Sequence, residues 1–166
     1  MKTNLWARTG DGNHAYKIFD GLIADATLNN LWDYHTGPYF QIDGNLGGTA
    51  GMIEMLMQSH AGYIEPLPAL PDAWPGGKVT GVTMRGGFTV DMTWEDHCVT
   101  DMTITSTAGQ PCTVKYLNAD GDAQFVMVTC DGVPVKVTAE KNGAATFQTV
   151  KGGVYSVSFA DPSTFV

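Results

Sequence analysis

The residues best placed to do chemistry lie in 38–51, which reads PYFQIDGNLGGTAG and sets Asp43 beside Gly44 and Asn45 ahead of a run of small and apolar residues. Asp and Asn suit turn geometry and cap backbone N–H groups, and glycine permits the φ values a tight turn needs. The string therefore predicts an Asp-Gly turn feeding a helix over 46–59. The small residues Gly47, Gly48, Ala50 and Gly51 then mark where neighbouring helices come close. A carboxylate at a helix N-terminus meets the positive end of the helix dipole, which favours its ionised form and suits a general base or a water-positioning group. The same Asp-Gly arrangement also serves as a plain helix cap, with no chemistry attached.

Other chemistries find little support. Cys98, Cys112 and Cys130 match neither zinc-ligand nor redox spacing, and their odd number leaves at least one unpaired, so they read as buried small hydrophobes. No two of His14, His35, His60 and His97 fall at metal-ligand spacing on one helix, so no metal and no cofactor is implied. A phosphate loop, a GxSxG elbow and a Cys/His nucleophile pair are all missing from the sequence. Residues 118–122, NADGD, faintly resemble a calcium loop, but Thr129 stands where the downstream glutamate belongs, and an Asp-Gly hairpin turn is expected. With 17 acidic against 9 basic residues and a net charge of −8, nucleic acid is excluded as a partner. No apolar run nears the roughly 20 residues that span a bilayer, and the opening MKTNLWARTGDG lacks the apolar stretch of a signal peptide. The compartment is left unknown.

The elements that must carry Asp43 follow from periodicity. Asn13 is a plausible cap for a helix over 14–25, where Tyr16, Ile18 or Phe19, Leu22 and Ile23 recur at helical spacing. Residues 29–42 carry loop signals. Helix 46–59 is apolar on most sides, with Glu54 and Gln58 as a narrow polar strip and its methionines read as core filling. Prolines over 66–75 end the helical part. Beyond residue 76 the period becomes two: Phe88, Val90, Met92 and Trp94 alternate with Gly87, Thr89, Asp91 and Thr93. Further short strands are expected at 102–105, 112–117, 124–129, 133–137, 145–150 and 155–159. Such spacing suggests an antiparallel β-sandwich, with a domain boundary between 1–76 and 77–166.

Six blocks then carry a resemblance: NLWAR (4–8), DGNHAYK (11–17), FQIDGN (40–45), GMIEMLMQSH (51–60), LPALPDAWP (67–75) and RGGFTVDMTW (85–94). In order and spacing, over roughly residues 2–117, they resemble glycoside hydrolase family 95, the inverting α-L-fucosidases. The resemblance implies an α+β chain: the terminal helices of an (α/α)6 catalytic barrel over 1–76, followed by a C-terminal antiparallel β-sandwich over 77–166. It implies hydrolysis of terminal α-L-fucose, or α-L-galactose, from fucosylated oligosaccharides and glycans. Family members are several hundred residues long, so 166 residues correspond to a C-terminal fragment, inactive by itself, whose partner is the missing N-terminal barrel segment. Members are often secreted or attached to the cell envelope.

By that match Asp43 is the general base. The acid, a glutamate, and the asparagines that assist the base belong to earlier parts of the barrel, and neither Glu54 nor Glu65 stands in the family's acid motif. His35 matches a histidine that contacts the sugar, although the family reads HPPFQID where this chain reads HTGPYFQID. Trp32, Tyr34, Tyr39 and Phe40 could provide an aromatic platform for a sugar face, but aromatics flanking a buried turn are usually core, and they are assigned no binding role. The alternative from another class is a non-catalytic carbohydrate-binding or structural β-sandwich module. A phosphorylase would need basic groups near Asp43, and none follows within twenty residues.

Overall fold

In the computed structural model the described residues are 2–34 and 39–161. Helix α1 spans Lys2–Arg8, α2 spans Gly12–Ala26 and α3 spans Ile42–Leu56. Both longer helices start earlier than their periodicity implies. The cap of α2 is Asp11, whose side chain accepts a 3.0 Å hydrogen bond from the His14 N–H. The expected cap, Asn13, is inside the helix and exchanges two 3.0 Å bonds with Asp72 instead. Two Asx residues two positions apart are equally good caps locally, and a distant partner decided between them.

Helix α3 begins at Ile42, so the expected Asp-Gly turn is its first helical turn rather than a turn ahead of it. Of the four small residues, Gly48 and Gly51 act as anticipated, whereas Ala50 is exposed. A Cβ on Gly48 would lie 3.0 Å from Leu22 of α2, and one on Gly51 would lie 2.6 Å from Thr3 of α1. These glycines sit where neighbouring backbones approach. The Arg8 guanidinium meets the Glu54 carboxylate at 2.8 and 3.2 Å, tying α1 to α3.

The remaining elements are strands: β1 (Met57–Gln58), β2 (Glu65–Pro66), β3 (Gly77–Met84), β4 (Phe88–Glu95), β5 (Cys98–Ser106), β6 (Cys112–Val114), β7 (Phe125–Cys130), β8 (Val133–Pro134), β9 (Val137–Ala139), β10 (Ala145–Phe147) and β11 (Val154–Ala160). They form a β1-β2 ribbon, a three-stranded sheet in the order β6-β10-β9 and a six-stranded sheet in the order β3-β4-β5-β11-β7-β8. The pairings within the two larger sheets are antiparallel. The chain is thus α+β, three helices followed by largely antiparallel sheets arranged as a sandwich. Its contacts resolve into two units, residues 1–57 with 68–73 and residues 58–67 with 74–166.

Alternation of buried and accessible residues along β4 puts Phe88, Val90, Met92 and Trp94 into the sandwich core, as their period predicts. Phe147 of β10 and Tyr155 of β11 meet across the two sheets with ring centroids 5.4 Å apart. Buried polar groups are satisfied here: Ser106 Oγ and Thr149 Oγ1 are 2.7 Å apart, and the latter donates to the Gln110 carbonyl.

Strand β3 was not anticipated. It contains Gly77 and Gly81, and its pairing with β4 shifts register between Val79 and Val82, which breaks the alternation a sequence reading relies on. Gly81 has φ +73°, and its N–H donates to Asp91 Oδ1 at 2.7 Å. The NADGD segment is a turn, as expected: Asn118 Oδ1 accepts from the N–H groups of Asp120 and Asp122, and Leu117 bridges Ala123.

The reading of all three cysteines as buried needs correction, because Cys98 is exposed and Cys130 half-buried, and Cys112 alone is buried. Burial pushes the Cys112 thiol up to about 12. At pH 8 its thiolate fraction is then on the order of 10⁻⁴, and thiolate is the species that alkylates. Iodoacetamide at pH 8 is therefore expected to modify Cys98 first and Cys112 only after denaturation, read by peptide mass spectrometry. Early labelling of Cys112 would contradict this packing.

Candidate active site around Asp43

The N-cap of α3, Gln41, is extended and offers no side-chain cap, so the exposed Asp43 carboxylate lies in the first turn at the partially positive end of the helix. Asn45 does not continue a cap, as the sequence suggested. Its amide reaches back to the incoming loop: Oδ1 accepts from the Asp33 N–H at 3.1 Å, and Nδ2 donates to the Leu31 carbonyl. The Asp33 carbonyl in turn accepts the Gln41 N–H at 2.9 Å.

Asp33 itself is 2% exposed. Its carboxylate packs against the Cα of Gly44, filling the space a Cβ there would need. Sequence reasoning missed Asp33. The available signal was an acidic residue flanked by Trp32 and Tyr34 in a stretch without periodicity, which is weak. A cleft of about 170 Å³ is lined by Asp33, Gly44 and Asn45 together with Phe19, Leu22 and Met52. Asp43 is not among the residues lining that cleft.

The aromatic residues nearby are not core, contrary to expectation. Trp32 is 53% exposed, Tyr39 79% and Phe40 48%, and the Trp32 and Phe40 ring centroids stand 4.6 Å apart with planes 36° inclined. Tyr34 differs, being half-buried with its hydroxyl donating to the Asp25 carbonyl. Exposed aromatic faces of this kind suit the apolar face of a sugar ring. His35 falls outside the described residues.

Neither remaining acidic candidate stands ready as a proton donor beside Asp43. Glu54 is engaged by Arg8. Glu65 belongs to the β-rich unit, where burial raises its carboxyl above the ordinary range, opposed by the Lys115 and His60 charges. What the site contains is one exposed carboxylate on a clamped helix start, with aromatic surface on the loop leading into it.

Residues 1–56 match the family model described as the glycosyl hydrolase family 95 catalytic domain, and residues 58–157 match the glycoside hydrolase family 95 C-terminal domain. The chain therefore has the end of a glycosidase catalytic domain joined to a β-rich domain, and it belongs to glycoside hydrolase family 95. Among curated relatives, it is similar to "Alpha-L-fucosidase 2" of Arabidopsis thaliana, 40% identical over 103 residues that cover 56% of this chain and 12% of the relative. It is also similar to "Probable alpha-fucosidase A" of Aspergillus niger, 32% identical over 137 residues covering 74% of this chain and 17% of the relative. The chain thus spans between 12% and 17% of the length of these relatives.

Proposed function

We propose that the chain acts as the C-terminal part of an α-L-fucosidase-type hydrolase, removing terminal α-L-fucose, or α-L-galactose, from oligosaccharides with inversion at the anomeric carbon. Asp43 is the general base. The observation that carries this reading is Asp43 exposed in the first turn of α3, within a segment that matches the end of a family 95 catalytic domain.

In this scheme Asp43 takes a proton from water as the water oxygen bonds to the anomeric carbon. The bond from that carbon to the glycosidic oxygen breaks on the opposite face, and an acid protonates the leaving oxygen. Inversion needs the two groups roughly 6.5–9.5 Å apart, so that the water fits between. The acid is a glutamate of the preceding barrel segment, which makes that segment the partner required for activity. His35 is the proposed sugar contact. The apolar residues exposed on the helical unit, among them Leu5, Ile23, Leu31, Ile42 and Leu46, are the surface on which further barrel helices would pack.

The test compares this chain alone with a full-length family member ending in the same sequence, both given an α-1,2-fucosylated oligosaccharide. The full-length enzyme is expected to release L-fucose first seen as the β anomer by NMR, and the chain alone is expected to release none above background. Comparable release by the chain alone would overturn the need for a barrel partner. An α anomer as first product would overturn inversion, and an inactive full-length protein would favour a non-catalytic module.

A further inference from the structure

The geometry points to Asp33 as a positioning residue for the hydrolytic base, fixing the turn from which Asp43 projects; this rests on reading Asp43 as that base. Asp43 is exposed, yet the residues around it are held. Gln41, two positions before it, donates its N–H to the Asp33 carbonyl at 2.9 Å. Gly44, immediately after it, receives the Asp33 carboxylate against its Cα. Asn45, two positions after it, accepts the Asp33 N–H at 3.1 Å and donates to Leu31. Backbone, carboxylate and carbonyl of one buried residue therefore grip both flanks of the base.

Asp33 is itself anchored from behind. It bridges Thr27 in antiparallel fashion, while Tyr34 N–H donates to the Ala26 carbonyl at 2.9 Å and Leu28 N–H to the Trp32 carbonyl at 2.8 Å. The end of α2 is thereby connected through Asp33 to the start of α3. Leu31 adds a sign of strain: its φ is +66°, a region that branched, bulky residues avoid, and its carbonyl is the acceptor for Asn45. Such a conformation persists only where surrounding contacts over-determine it, and it concentrates where a functional group must be aimed. Asp33 lines the neighbouring cleft, yet its carboxylate lies against Gly44, and the role proposed for it is exerted on the flanks of Asp43.

The experiment uses the full-length enzyme ending in this sequence and measures kcat and KM for fucose release. Asp33→Ala, which removes the side chain that lies against Gly44 while leaving the backbone bonds, is expected to lower kcat by about ten- to 10²-fold with KM within about twofold, the consequence of a misaimed base. In an Asp43→Asn background the same substitution is expected to lower kcat no further than about twofold, because its effect runs through Asp43. Gly44→Ala, which places a methyl where the carboxylate lies, should behave likewise. If Asp33→Ala does not accumulate as folded protein, Asn45→Ala at a half-buried position is read in the same two backgrounds.

A kcat within twofold of the parent would overturn the proposal. So would a loss that multiplies undiminished with that of Asp43→Asn, which marks general damage rather than aim. Failure of the underlying reading looks different: Asp43→Asn alone would leave the rate intact, and the role of Asp33 would fall with it.

Discussion

Asp43→Asn in a full-length family member ending in this sequence is expected to lower kcat and kcat/KM together by about 10²–10⁴-fold, the usual loss when a general base is removed. The amide has nearly the same size but cannot take the proton from the attacking water. The helix should survive the change, because Asp43 is exposed and the α3 N-cap has no side-chain bond to lose. Initial rates of fucose release, with the midpoint of thermal unfolding as a check on folding, decide the matter. A kcat within about twofold of the parent would reduce Asp43 to a residue that merely complements the helix N-terminus.

The largest stability effect is expected at Phe147. Its side chain is 1% exposed and touches Tyr155 across the two sheets, so Phe147→Ala removes a ring that both layers share. Deleting a buried phenylalanine typically costs about 3–5 kcal/mol, the lost transfer energy plus the cavity left behind. Urea denaturation of the chain, followed by a probe of the β-rich unit, should show a correspondingly lower midpoint. Val133, on β8 but 65% exposed, is the control, and Val133→Ala should change stability by no more than about 0.5 kcal/mol. A loss below about 1.5 kcal/mol at Phe147 would mean that the sandwich closes over the void.

How far sequence anticipates this molecule depends on the range of the interaction that decides each feature. Strand β4 was legible because its alternation is local and uninterrupted, and Gly48 and Gly51 of α3 were legible because nothing but close approach explains them. Strand β3 was not. Its bulge depends on Asp91 of the neighbouring strand satisfying the Gly81 N–H, a partner ten positions away.

The same division runs through the candidate site. The motif that carries Asp43 lies in a segment that matches the family's catalytic domain, and residues 58–157 match its C-terminal domain. The placement of Asp43 within the helix, rather than on a turn ahead of it, followed from Asn45 turning back to Leu31 and Asp33 instead of capping. Asp33 was invisible for a related reason. The role proposed for it is argued from contacts with Thr27, Gln41, Gly44 and Asn45, and none of those is implied by its immediate neighbours. Likewise Trp32, Tyr39 and Phe40 have core-forming side chains, and composition alone says nothing about which of them the fold leaves at the surface.

The irregularity of β3 matters beyond its register. The six-stranded sheet has β3 at one margin and β8 at the other, and a free margin is a template on which another chain can add a strand. At the first margin the register shift between Val79 and Val82 interrupts the row of unpaired backbone groups, and Gly81 spends its N–H on Asp91. At the second, β8 is only two residues long and one of them is Pro134, which has no N–H to donate. Each margin of the six-stranded sheet therefore offers a broken row of backbone partners, which disfavours the addition of a further strand there.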